Sequence, residues 1–272
     1  MTRVIGISSG KGGVGKTTVA ANLAIALSGF GKKVIAVDCN ISTPHLTYYL
    51  GAYKYDTTIN DVLRGKAEIT NALYQHNGVM FVPASLELKD LVSVDVAKMK
   101  KHISKLVNAD MIDFIFLDSA PGLGREAVSI LDASEEVIFV TTPAYPNIRD
   151  VVRCIDVMNE LGRKPVNIIL NMTKAGKYEL NVKDVEAIVK MPVIGSIPYD
   201  RNVINSLALR KPIMKYKPNS VASVEFMKLA ASLIGESYEP STSVKLSQFF
   251  DRFKGVFMPE KVSLSDFVEE GF

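Results

Sequence analysis

The chain has 272 residues, 47 % of them hydrophobic and 22 % charged, with a net charge of +3. That is enough apolar content for one α/β domain of ordinary size with a short appendage, and too little charge to argue for nucleic acid or membrane by itself. The two cysteines, Cys39 and Cys154, form no Cys-x-x-Cys pair, and His45, His76 and His102 have no metal-ligand spacing. A zinc ribbon or Fe–S scaffold therefore has no visible ligand set, and the sparse cysteines fit a reducing, cytoplasmic compartment.

The N-terminus, Met-Thr-Arg-Val-Ile-Gly-Ile-Ser-Ser-Gly, reads as a strand leading into a glycine-rich loop, not as a signal peptide. No apolar run approaches the ~18–20 residues of a membrane span. Short runs rich in Val and Ile at 4–8, 34–38, 79–83, 112–118, 137–141, 166–171 and 193–197 predict strands. Their nearly continuous hydrophobicity is that of strands buried on both faces of a sheet. Helical patterns at 17–28, 94–107, 148–161 and 182–190 lie between them. The alternation predicts a doubly wound α/β fold with a mostly parallel sheet flanked by helices. A domain at 1–235, a linker at 236–244 and an amphipathic helix with a tail at 245–272 complete the expected organisation.

After the first strand comes Lys11-Gly12-Gly13-Val14-Gly15-Lys16-Thr17-Thr18. Strand, glycine loop and helix in that order make a P-loop: glycines let backbone N–H groups face phosphate oxygens, and the helix N-terminus adds partial positive charge. Lys16 is expected to reach the β- and γ-phosphates of ATP, Thr17 to ligate Mg²⁺ and Thr18 to meet an inner phosphate. Asp38 and Asp118 each end a buried strand beside the loop; Asp38 is suited to hold Mg²⁺ waters or orient the attacking water, and Asp118 to bind Mg²⁺ through water.

The loop resembles the deviant Walker A motif of the MinD/ParA ATPases. The resemblance spans about residues 1–235 and is closest to MinD-like cell-positioning proteins. It implies an ATP hydrolase acting as an ATP-dependent homodimer, in which Lys11 reaches the partner's phosphates. Many family members carry a second Asp where this chain has Asn40; an amide positions a water but cannot take its proton, which points to slow or partner-stimulated turnover. Ser119-Ala120-Pro121-Gly122 resembles the family's switch II, with the Gly122 N–H offered to the γ-phosphate. Asn171 resembles the residue that reads the adenine edge, and Pro198 and Asp200 resemble the later base-flanking loop.

Between 245 and 257, Leu246, Phe249, Phe250, Phe253, Val256 and Phe257 fall on one helical stripe, with Lys245, Arg252 and Lys254 off it. This suits an interfacial membrane helix, doubled in an ATP-dimer, and equally a helix docked on its own domain or a partner. MinD proteins use a C-terminal helix in the first way, although here about 15 residues follow it. Three other readings are open. The cluster Arg210, Lys211, Lys215 and Lys217 suits a ParA-like DNA-partitioning ATPase, but reads better as a solvated loop, so nucleic acid is the lesser expectation. A metal-cofactor maturation ATPase and a pure ATP-binding module complete the set.

Overall fold

A computed structural model of the protein describes residues 1–107, 112–160, 162, 167–245 and 248. Eight strands form one sheet in the order β3-β4-β2-β5-β1-β6-β7-β8. They are β1 (Arg3–Ser8), β2 (Val34–Asp38), β3 (Tyr74–His76), β4 (Val79–Val82), β5 (Phe114–Asp118), β6 (Glu136–Thr141), β7 (Asn167–Thr173) and β8 (Val193–Pro198). All neighbouring pairs are parallel except β3 with β4. The short edge strand β3 is absent from the sequence reading. It is made by a tight Asn77-Gly78 turn with both residues at positive φ, 52° and 82°, the backbone that a two-residue hairpin requires.

Helices cover both faces. The nucleotide-loop helix α1 (Lys16–Gly29) is apolar nearly all round and packs with α2 (Leu46–Leu50), at the sheet's own surface, against Ile5, Ile7, Phe81 and Phe116. The opposite face is closed by α3 (Ile59–Leu63), α4 (Met99–Val107) and α5 (Arg125–Ala133) over Val4, Ile35, Val37 and Ile115. Two further helices, α6 (Tyr145–Glu160) and α7 (Val182–Val189), bury a separate cluster around Phe139 and Ile168. The chain then runs through α8 (Arg201–Ala208), α9 (Ile213–Tyr216) and α10 (Val221–Leu233), of which α9 and α10 return to the α1 face. A fully buried Phe such as Phe116 or Phe226 contributes about 2–3 kcal/mol relative to exposure, so this double-sided burial carries much of the fold.

The topology positions the site. β5 is inserted between β1 and β2, so the ends of three strands converge: Asp118 pairs in register with Ile7 on one side and Asp38 on the other. The crevice beyond these carboxyl ends is where open α/β sheets bind ligands.

The segment proposed as a linker is partly packed. Pro240 is buried, Tyr238 meets Phe30 edge-on at 6.3 Å, and residues 242–245 are already helical. The Gln248 side chain donates to the carbonyl of Asn219 at 3.0 Å. The membrane-facing candidates Leu246, Phe249, Phe250, Phe253 and Phe257 lie outside the described residues. Among the described residues no helix is long and apolar enough to cross a membrane.

Candidate nucleotide site

The phosphate loop leaves β1 at Ser8 and enters α1 at Lys16. Gly13 and Gly15 sit at φ 79° and 91°, a backbone that L side chains rarely adopt. Gly15 has a second constraint, because a Cβ there would lie 2.2 Å from Nδ2 of Asn171. Gly10 is required for space: α6 comes so close that a Cβ would stand 2.6 Å from the Asp150 backbone. Among the described residues, the N–H groups of Gly12, Gly13, Val14 and Gly15 have no protein acceptor. A loop of unsatisfied donors at a helix N-terminus suits a phosphate chain.

Lys16 is buried at 7 % exposure; desolvation lowers its pKa, and the nearby Asp118 carboxylate offsets part of that. Thr17 is half-buried, and Thr18 is buried with its hydroxyl beside the Tyr49 phenol. Lys11 is exposed, its carbonyl accepting from Ser9 Oγ at 2.7 Å. Among the described residues it makes no ion pair.

Asp118 is 1 % exposed and neither carboxylate oxygen has a hydrogen-bond partner of ordinary length among the described residues. Burial pushes its carboxyl up to about 6, against the lowering influence of the Thr17 hydroxyl and the Lys16 ammonium. A buried acid left without partners costs stability unless a ligand completes it. Two bare oxygens next to a Thr hydroxyl are the hard-oxygen donor set that Mg²⁺ takes when it keeps most of its waters. The residues fit the ion.

Asp38 differs. Its Oδ1 accepts from the Asn40 N–H at 3.1 Å, and its Oδ2 from the His45 and Leu46 N–H groups at 3.0 and 2.9 Å. It therefore staples both ends of the loop 39–45, the first switch, and starts α2. Burial, then the Asp118 charge, push its carboxyl up to about 8, while those three donors pull the other way. Asn40 lies inside the loop, where its Nδ2 donates to the Thr43 carbonyl at 2.7 Å and its Oδ1 accepts from the Thr43 hydroxyl at 3.1 Å.

Three expected contacts have protein partners here. The Gly122 N–H donates to the Ser9 carbonyl at 2.9 Å, so offering it to a γ-phosphate requires switch II to part from the end of β1. Asn171 donates through Nδ2 to the Val14 carbonyl at 2.8 Å, bracing the loop from β7. A register shift between Asn171 and Thr173, with Met172 at φ 57°, turns Asn171 inward. Asp200 caps two helices at once: Oδ1 accepts from the Asn202 N–H at 2.9 Å and Oδ2 from the Ala222 N–H at 3.3 Å. Pro198 ends β8 half-buried, next to exposed Tyr199, whose ring lies 4.6 Å from Lys174 Nζ.

The sequence reading missed Met172, Tyr49, Ser42 and Glu126. Met172 adjoins the loop near Gly15, and Ser42 in the first switch bonds the Glu126 carboxylate on α5. In the basic cluster, the Arg210 guanidinium lies 5.6 Å from the Tyr53 ring and its carbonyl accepts the Tyr53 hydroxyl at 3.0 Å. Both cysteines are free and buried, Cys39 with its thiol pushed well up by burial and Cys154 to about 11. Neither presents a thiolate for metal transfer.

A family model described as ParA, NUBPL iron-transfer P-loop NTPase, matches residues 1–234. The chain belongs to the ParA/MinD family of P-loop NTPases. These are ATP-binding ATPases as a class, and the described site carries the loop, buried lysine and strand-end acid such chemistry needs. Among the relatives of this ParA/MinD protein, an uncharacterized ATP-binding protein of Methanocaldococcus jannaschii is 36 % identical over 94 % of this chain and 97 % of its own. The septum site-determining protein MinD from Pyrococcus horikoshii OT3, complexed with Mg-ADP, is 33 % identical with a TM-score of 0.81, over 86 % of this chain and 96 % of that one. The MinC:MinD cell division protein complex of Aquifex aeolicus contains a chain 29 % identical with a TM-score of 0.79, over 88 % and 98 %.

Proposed function

We propose that this ATPase is a MinD-like switch: ATP with Mg²⁺ drives homodimerisation, the dimer recruits partners for spatial positioning, and slow or activator-stimulated hydrolysis resets it. The observation that carries the reading is the Asp118 carboxylate, buried and bare beside Thr17 and Lys16.

In hydrolysis the water oxygen bonds to the γ-phosphorus, the bond to the bridging oxygen breaks, and the water proton leaves with the inorganic phosphate. Lys16 neutralises the γ-phosphoryl charge, and the loop N–H groups hold the β-phosphate. Thr17 and Asp118 would hold Mg²⁺, which when bound screens the same charge. The exposure of Lys11 on the loop supports a role for it at a second copy's phosphates. Asn40 gives its amide to Thr43, so no acid on the first switch takes the water proton. That supports turnover well below one per second without an activator, at the slow end of enzymes whose median is ~10 s⁻¹.

Gel filtration with Mg-ATP and with Mg-ADP tests the switch. Wild type elutes as a dimer only with ATP, and Lys16→Ala as a monomer with both. Identical elution of wild type with either nucleotide overturns it, and many turnovers per second by the purified protein alone overturns the slow-turnover part. Residues 245–257 are the membrane-attachment element of this reading. Sedimentation with anionic liposomes in ATP falls on truncation at Ser243; unchanged recovery assigns the segment to docking instead.

A further inference from the structure

Residues 40–44 of the first switch have one hydrogen-bonded tie to α5 among the described residues. The Ser42 hydroxyl donates to Glu126 Oε1, and the Ser42 N–H stands 3.5 Å from Oε2. Glu126 is the acid in the first turn of α5, directly after switch II, where the helix N-terminus favours a carboxylate. Among the described residues the other polar anchors of this switch are internal or run to its own strand neighbours: Asp38 to the backbone of Asn40, His45 and Leu46, Asn40 to Thr43, and the Cys39 N–H to the Asp118 carbonyl at 3.0 Å. The Glu126–Ser42 pair therefore ties the first switch to the helix that follows switch II.

We propose that Glu126 is a positioning residue for hydrolysis: through Ser42 it holds the first switch in register with switch II, so that Asn40 and the Asp118 side of the site are aligned together. The inference deepens the ATPase reading and rests on it. With the Asn40 amide folded into its own loop, the placement of that loop decides where the attacking water stands, and a misplacement of about 1 Å costs on the order of a hundredfold in rate. Glu126 acts as an acceptor for Ser42, not as a proton acceptor for water. Its isosteric amide keeps the hydroxyl bond through Oε1 and gives up only the 3.5 Å contact from the Ser42 N–H.

Single-turnover hydrolysis of Mg-ATP by the full chain tests this, with nucleotide affinity measured alongside. Glu126→Ala and Ser42→Ala each lower the rate constant about tenfold, as loss of the bond that positions a catalytic loop would. Affinity moves less than about twofold, the double variant is no slower than either single one, and Glu126→Gln stays within about twofold of wild type. Multiplying losses in the double variant overturn the proposal, as does a wild-type rate in Glu126→Ala or an effect confined to affinity. A Glu126→Gln rate as low as that of Glu126→Ala overturns it in favour of a proton-accepting carboxylate. Should Glu126→Ala fail to fold, Ser42→Ala and Glu126→Gln carry the comparison. Absence of hydrolysis in the wild type itself counts against the ATPase reading instead.

Discussion

The two ends of the nucleotide crevice are built on opposite terms. At the phosphate end the polar groups lack protein partners: the N–H groups of Gly12 to Gly15 have no acceptor and the Asp118 oxygens no donor among the described residues. At the base end they are satisfied from within, Asn171 by the Val14 carbonyl and Asp200 by the starts of α8 and α10. An unsatisfied buried group costs about 1–3 kcal/mol, so a fold retains it only where a ligand returns the lost interaction. The buried Asp118 carboxylate therefore keeps stability in reserve for a ligand, whereas Asn171 and Asp200 are finished structure.

That contrast breaks most visibly at Asp118. Replacing it with Asn removes a buried charge and relieves the repulsion on Asp38, its in-register neighbour on the adjacent strand. Both carboxyls are raised in the folded protein above the ordinary 3.8, to about 6 and about 8. The sign follows from linkage: a raised carboxyl pKa adds stability that is full below the unfolded value and lost as pH climbs through the folded ones. Nucleotide-free wild type therefore loses this contribution between about pH 4 and pH 8. Asp118→Asn flattens the loss and melts several degrees higher at pH 8, at roughly 2–4 °C per kcal/mol for a domain of this size. The same variant weakens Mg-ATP about 10- to 100-fold, the range for an outer ligand to a metal. A variant less stable than wild type at pH 8 with unchanged nucleotide affinity makes Asp118 ordinary structure and erases the contrast.

Legibility in the sequence followed the same division. The phosphate cradle is contiguous, so its chemistry is written in eight neighbouring residues, and Asp38 and Asp118 stand out as acids closing apolar runs. Seven strands were legible from their apolar runs, with boundaries moved by at most two residues where the end residues are described, although edge strand β8 is only partly buried apart from Ile197, unlike the doubly covered strand expected. β3 has no apolar alternation because Gln75 and His76 are exposed, yet its Asn-Gly turn was a readable signal. What could not be read was long-range pairing. Asn171 meets Val14 across 157 positions and Ser42 meets Glu126 across 84, and no local pattern specifies either. Asp200 was read for its neighbours in a motif, while its capping geometry depends on where α10 returns.

The smallest effect sharpens the other side of the comparison. Asp200→Ala removes the side-chain acceptor at the start of α8 and the one that reaches Ala222 at the start of α10. Loss of a cap costs about 0.5–2 kcal/mol, so the melting temperature falls by roughly 1–8 °C. Because both oxygens already serve backbone donors, Mg-ATP affinity and the preference for ATP over GTP change by less than about threefold, or under 0.7 kcal/mol. Calorimetric melting and nucleotide titration of the same preparation decide between cap and contact. A tenfold loss of ATP affinity at an unchanged melting temperature makes Asp200 a direct base contact; the base end would then resemble the phosphate end, holding its groups for the ligand instead of for the fold.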